Sequence, residues 1–183
     1  MKRLLIPSLS LLAILATGAT GATGAAEAPD DGATHGAALL LPFKQQLKAA
    51  LQSGMAEGPA AAIGVCRDEA PAIAASLSTN GVTMGRTSHR LRNPENRPPA
   101  WAAPLLDRYA AGEASGGATV ALDGGLTGYV EPITVQPVCL ACHGTTLAPG
   151  VADALTRLYP DDAATGFAAG DFRGLFWVTY PTP

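Results

Sequence analysis

The chain has 183 residues, with 12 basic and 15 acidic side chains, a formal charge of -3 and 48% hydrophobic residues. That length suits one domain with a real core, and the acidic balance excludes a nucleic-acid partner recognised through bulk charge. Three cysteines, an odd number, leave one thiol without a mate if the other two act together.

Residues 1–26 read as an export signal: Lys2 and Arg3 form a basic start, Leu4 to Ala16 an apolar run interrupted by Pro7, and small residues lead to cleavage somewhere within 22 to 28. A membrane-spanning helix needs about 20 apolar residues, so this run predicts no stable insertion once the signal is cut. The expected location is the periplasm. Residues 27–38, rich in Ala and Gly, read as a flexible linker, and 39–183 as the folded domain.

Phe43, Leu47, Leu51 and Met55 recur every four residues and predict a helix closed by Gly58 and Pro59. A second stripe follows, Ile63, Cys66, Ala70, Ile73 and Leu77 at helical spacing. Pro71 within it predicts a kink or restart just after Cys66, because its ring cannot donate to the carbonyl of Arg67. Runs of β type then appear around Val82 to Ser88, Ala118 to Leu122, Thr127 to Val135 and Phe172 to Tyr180. Asn93 to Pro99 is a Pro/Asn-rich break, and short helices are expected over Trp101 to Tyr109 and Val151 to Tyr159. Leading helices and following strands without βαβ alternation indicate an α+β domain with one antiparallel sheet.

Cys139-Leu140-Ala141-Cys142-His143 is the C-x-x-C-H pattern of covalent c-type haem attachment. Two thiols three residues apart can add to the two vinyl groups of one haem, and the following histidine supplies an imidazole nitrogen to the iron. A zinc ribbon would need a second Cys or His pair, which the chain lacks. A thioredoxin-type pair would need a helix in a βαβ setting, whereas Pro137 and Val138 read as an extension of the preceding strand. One covalent haem c is therefore expected.

Candidates for the remaining axial position are Cys66, His89, Met84, Met55 and His35. His35 lies in the expected linker, the methionines are equally explained as core filling, and His89 sits among Arg86, Arg90 and Arg92. Cys66 is the odd thiol on an apolar helix face, yet a buried structural thiol would look the same. Arg86 and Arg92 are candidates for pairing with haem propionates, with a surface role as the alternative.

Several segments carry a resemblance to a known family: Ile63-Gly64-Val65-Cys66 with Ala70-Pro71; Gly85-Arg86-Thr87-Ser88; Arg92-Asn93-Pro94 with Asn96 and Pro98; Pro132-Ile133 ahead of the C-x-x-C-H motif and Gly144. Tyr159-Pro160-Asp161, Gly166 and Gly170-Asp171-Phe172-Arg173-Gly174 complete the set. Over about residues 40 to 180 the chain resembles periplasmic single-haem c proteins first described from a cyanobacterium, long labelled a domain of unknown function. The resemblance implies a PAS-like fold, N-terminal helices packed against an antiparallel sheet, and iron held between His143 and Cys66; His89, at a position without a ligand role in that family, stays the fallback for Cys66.

A His/Cys-ligated haem should have a low potential, and two protein ligands leave no open iron for substrate, so an enzyme is not expected. The expected function is periplasmic single-electron transfer; the alternative is a haem-based redox or gas sensor. Either needs a separate periplasmic redox or signalling partner.

Overall fold

The computed structural model describes residues 31–182. The expected signal peptide and cleavage region lie outside the described residues.

Helix α1 (Asp31–Ala56) and helix α2 (Pro59–Leu77) form an antiparallel pair. They cross closely because Gly54 lacks a side chain: a Cβ there would lie 2.7 Å from the Cα of Ala62. The buried stripe of α1 runs through Gly36, Leu40 and Phe43 and continues in the half-buried Leu47. It thus begins two turns earlier than the residues at 43 to 55 suggested.

Part of the expected linker, residues 31–38, is helix. The small residues that looked too slight to pack are what allow close packing: Gly36 lies flat against Tyr129, and the Tyr180 hydroxyl donates to the Gly32 carbonyl at 2.8 Å. Alanine-rich sequence also has high intrinsic helicity. A second correction concerns Pro71, since α2 runs through it as one helix with no restart after Cys66. Its ring costs the hydrogen bond to the carbonyl of Arg67, and Arg67 is exposed, so water can satisfy that group.

The four strands are β1 (Thr83–Thr87), β2 (Ala118–Leu122), β3 (Leu126–Thr134) and β4 (Phe172–Pro181), all antiparallel in the order β1-β4-β3-β2. Alternation along β4 separates two faces. Phe176, Val178 and Tyr180 pack with Leu40, Phe43 and Met84 under α1 and α2. Leu175 and Trp177 pack with Val130 and Leu106 under helix α3 (Ala103–Ala110). This α+β arrangement, a PAS-like antiparallel sheet with the N-terminal helices on it, is the class the sequence indicated. Gly174, at φ +156°, lets β4 approach the turn after β1, where a Cβ would stand 2.1 Å from the Thr87 carbonyl oxygen.

The last strand is reached through two short helices, α4 (Leu140–His143) and α5 (Pro149–Leu158), and a loop over 159–171. Helix α5 packs on α2 through Ile63, Val151, Ala154, Leu155 and Tyr159.

Candidate functional site

The Cys-Leu-Ala-Cys-His motif begins at Cys139, a short step beyond the end of β3 at Thr134. Pro137–Cys139 form one 3-10 turn and α4 one α-helical turn, so Pro137 and Val138 do not extend the strand as expected. Proline fixes a helix-compatible φ and lacks a donor that the first turn would leave unpaired, which favours a turn start. Successive helical turns set residues three and four apart on one face, and thus Cys139, Cys142 and His143 share a side. The motif sits in a helical turn, as a redox dithiol would, but the all-antiparallel sheet provides no βαβ unit around it.

Two small apolar clusters seat this turn. Cys139 and Leu140 pack on Val135, Ala164 and Phe167; Cys142 packs on the α2–α5 cluster around Ile63. The Cys142 thiol points to the Pro59 carbonyl at 3.8 Å, and the Cys139 sulfur accepts from the Gln136 amide at 3.3 Å. Cys66, Cys139 and Cys142 are all free thiols.

His143 is the most constrained member. Its Nδ1 lies 2.6 Å from the carbonyl oxygen of Ala164. Since a carbonyl only accepts, Nδ1 carries the proton and Nε2 keeps a free lone pair. Burial, then the Arg92 and Arg173 charges, lower the His143 pKa to about 3, so the ring is neutral and able to ligate at ordinary pH. Its backbone is fixed too: the Phe167 amide donates to the His143 carbonyl and the Gly166 amide to the Gly144 carbonyl, both at 2.9 Å.

Residues 88–92, just after β1, tie these pieces together. Arg90 donates through Nε to the Ala163 carbonyl at 3.0 Å and through Nη2 to the Thr165 carbonyl, and its guanidinium lies 4.3 Å from the Phe167 ring centre. Arg92 donates to the Cys142 carbonyl at 2.6 Å and pairs with the Asp162 carboxylate at 3.0 Å. Arg173 bonds Ser88 Oγ at 2.6 Å.

Cys66 lies half-buried on α2, in a cleft of about 240 Å³ lined also by Pro71, Arg86, Asn93, Glu95 and Tyr159. Burial pushes its thiol pKa up, while Arg86 and then Arg92 pull it down. Burial likewise raises the Cys142 thiol, with Arg92 opposing and Cys66 and Cys139 adding to the rise. Cys66, Cys142, Arg86 and Arg92 thus occupy one electrostatic neighbourhood. Arg86 reaches it from β1 on the helix-facing side, opposite Phe176 in the ladder, and its guanidinium has no hydrogen-bond or ion-pair partner among the described residues. Burial lowers its pKa.

The other axial candidates lie differently. Met84 is 7% exposed, in the main core at the cleft wall; Met55 and His35 belong to α1 outside the cleft, and His35 packs edge-on against Tyr180. His89 is exposed, stacked on Phe172 at 5.5 Å, and not part of the cleft. Of the two arginines considered for propionates, Arg92 has its Nε and Nη2 committed to protein carbonyls and Asp162, while Arg86 keeps its donors. Sequence reasoning missed Arg90, Asp162 and the Ala164 carbonyl. The nearest signal was Tyr159-Pro160-Asp161 within the family resemblance, which stops one residue short of Asp162.

The residues fit a covalently held haem: paired free thiols on one turn, a neutral histidine with Nε2 available, a third thiol nearby and an unpaired arginine. Among the described residues, no group of three or more His, Cys, Asp or Glu could hold a bare metal ion.

A family model described as Tll0287-like matches residues 28–181. Among solved structures, the chain is similar to one titled the cyanobacterial heme-protein Tll0287, with 26% identity, TM-score 0.59, and coverage of 79% of this chain and 91% of that one. No curated protein sequence matches the chain.

Proposed function

The chain belongs to the Tll0287-like family, and from that premise we propose that it is an exported c-type haem protein that transfers single electrons in the periplasm. Cys139 and Cys142 would form the thioethers of one haem, His143 and Cys66 would be the axial ligands, and Arg86 would pair with a propionate. When bound, haem supplies a one-electron ferric/ferrous couple, and a thiolate opposite an imidazole favours the ferric form and a low potential. The observation that carries the reading is His143: its Nδ1 is fixed on the Ala164 carbonyl, so Nε2 alone can ligate from a turn that also carries both thiols.

Protein side chains at both axial positions leave no iron site for substrate, which is why the proposal is a carrier and not an enzyme. Among the described residues no helix is long and apolar enough to cross a membrane. A periplasmic redox partner is part of the proposal. Residues Lys2 to Ala28 support export through their basic, apolar and small-residue sequence.

One observation favours a second reading, redox or gas sensing through a partner. Because burial pushes the Cys66 thiol up, a released Cys66 takes a proton and becomes a poor ligand, which would suit a ligand switch.

Optical spectra of the ferric and ferrous protein, with and without carbon monoxide, test both. A carrier keeps a six-coordinate spectrum in both states and takes up no carbon monoxide; a switch yields a ferrous form that binds the gas. Cys66→Ala should change the ferric spectrum, and an unchanged one would move the ligand role to His89 or a methionine.

A further inference from the structure

The Arg92–Asp162 pair is among the most buried ion pairs in the described structure, with side-chain exposures of 13% and 8%. It sits at the junction of three segments: the stretch after β1, the haem-attachment turn and the loop after α5. Arg92 Nη2 holds the Cys142 carbonyl at 2.6 Å and reaches the Ala164 carbonyl at 3.4 Å. Asp162 accepts from Arg92 Nε at 3.1 Å through one oxygen and from the Ala164 amide at 2.8 Å through the other. The carbonyl of that same residue, Ala164, receives the His143 Nδ1 proton.

We infer that Arg92 and Asp162 are positioning residues for His143: together they fix the Ala164 peptide against Nδ1 and the Cys142 carbonyl against the same loop, which sets the plane, tautomer and basicity of the imidazole. The inference rests on the haem reading above and deepens it. Metal-bound histidines are oriented by the acceptor of their second ring proton, and a firm acceptor raises the ligand's basicity. Arg92 therefore acts on the iron through the histidine.

The expected sign follows from two effects that agree for Asp162. Loosening the Ala164 carbonyl weakens the Nδ1–H bond and makes the imidazole a poorer donor, which favours ferrous iron. Removing a carboxylate near the site also favours the less positive ferrous state. For Arg92 the lost positive charge opposes the lost hydrogen bond, so Asp162 is the cleaner probe.

The experiment compares the full-length, haem-loaded wild type with Asp162→Ala, Asp162→Asn and Glu131→Gln. Glu131 pairs with Lys44 outside this network and loses the same charge. Attached haem is verified by mass; midpoint potential and ferric electron paramagnetic resonance are the readouts. Asp162→Ala should shift the ferrous-to-ferric ratio at fixed potential about tenfold toward ferrous, which is about 59 mV for one electron, and broaden the ferric signal. Asp162→Asn keeps an oxygen for the Ala164 amide and should shift it less, in the same direction, and Glu131→Gln should leave both readouts at wild type. If Asp162→Ala does not fold, Asp162→Asn decides alone. Haem-loaded Asp162 variants with wild-type potential and resonance signal would overturn the inference, whereas a wild type without haem would defeat the functional proposal itself.

Discussion

The helix pair with its sheet and the C-x-x-C-H turn with its loop are held by different forces. Under α1 and α2 the packing is by large apolar side chains: Leu40, Phe43, Val178 and Tyr180 are each 1% exposed or less. Around the C-x-x-C-H turn the apolar clusters are small, and three arginines, Arg90, Arg92 and Arg173, bridge backbone carbonyls, a hydroxyl and one carboxylate. A four-residue helix cannot bury enough surface to hold itself. The scaffold gains stability from area, while the turn gains direction from hydrogen bonds, and direction is what a ligand to iron requires.

Substitutions in the two regions should therefore separate stability from spectrum. The largest stability loss is expected for Leu40→Ala, a fully buried core residue outside the Cys66 cleft, about 2 to 5 kcal/mol in denaturant unfolding, with the absorption spectrum of the folded protein unchanged. A shifted spectrum would mean the regions are coupled. Gly36→Val should cost about 1 to 3 kcal/mol, because a Cβ would come within 2.4 Å of the Tyr129 ring. No loss there would mean that residues 31–38 do not pack as described.

Arg90→Ala sharpens the comparison from the other side. It removes two hydrogen bonds to loop carbonyls and the contact over Phe167. The expected cost is about 1 to 2 kcal/mol, accompanied by a spectral change that Leu40→Ala lacks. The smallest effect is expected for Lys44→Met. Its ion pair with Glu131 is partly solvated, at 27% and 29% side-chain exposure, so unfolding measurements should show a loss below about 1 kcal/mol.

The same division explains what was legible in the sequence. Strands and helices with alternating or helical apolar spacing, such as the strand at 172–180 and the helix that buries Val151, Ala154 and Leu155, were readable because burial writes its period into the residues. Residues 31–38 were misread because close packing there works through glycine and alanine, which carry no hydrophobic bulk. Pro71 misled because Arg67, whose carbonyl it leaves without an amide donor, is an exposed residue, a fact of tertiary placement. The C-x-x-C-H motif was plain from its spacing alone. Its supporting network was not, since Arg92 lies 70 residues from Asp162 and their partners are backbone carbonyls, which any residue type supplies.

The central claim is that a haem is joined to Cys139 and Cys142. Intact-mass and absorption measurements on the full chain, produced with export and c-type haem maturation, test it directly. One added haem mass is expected, surviving denaturation and disappearing in the Cys139→Ala/Cys142→Ala double variant, with a Soret band in the native protein. A colourless protein of bare polypeptide mass under those conditions would contradict it.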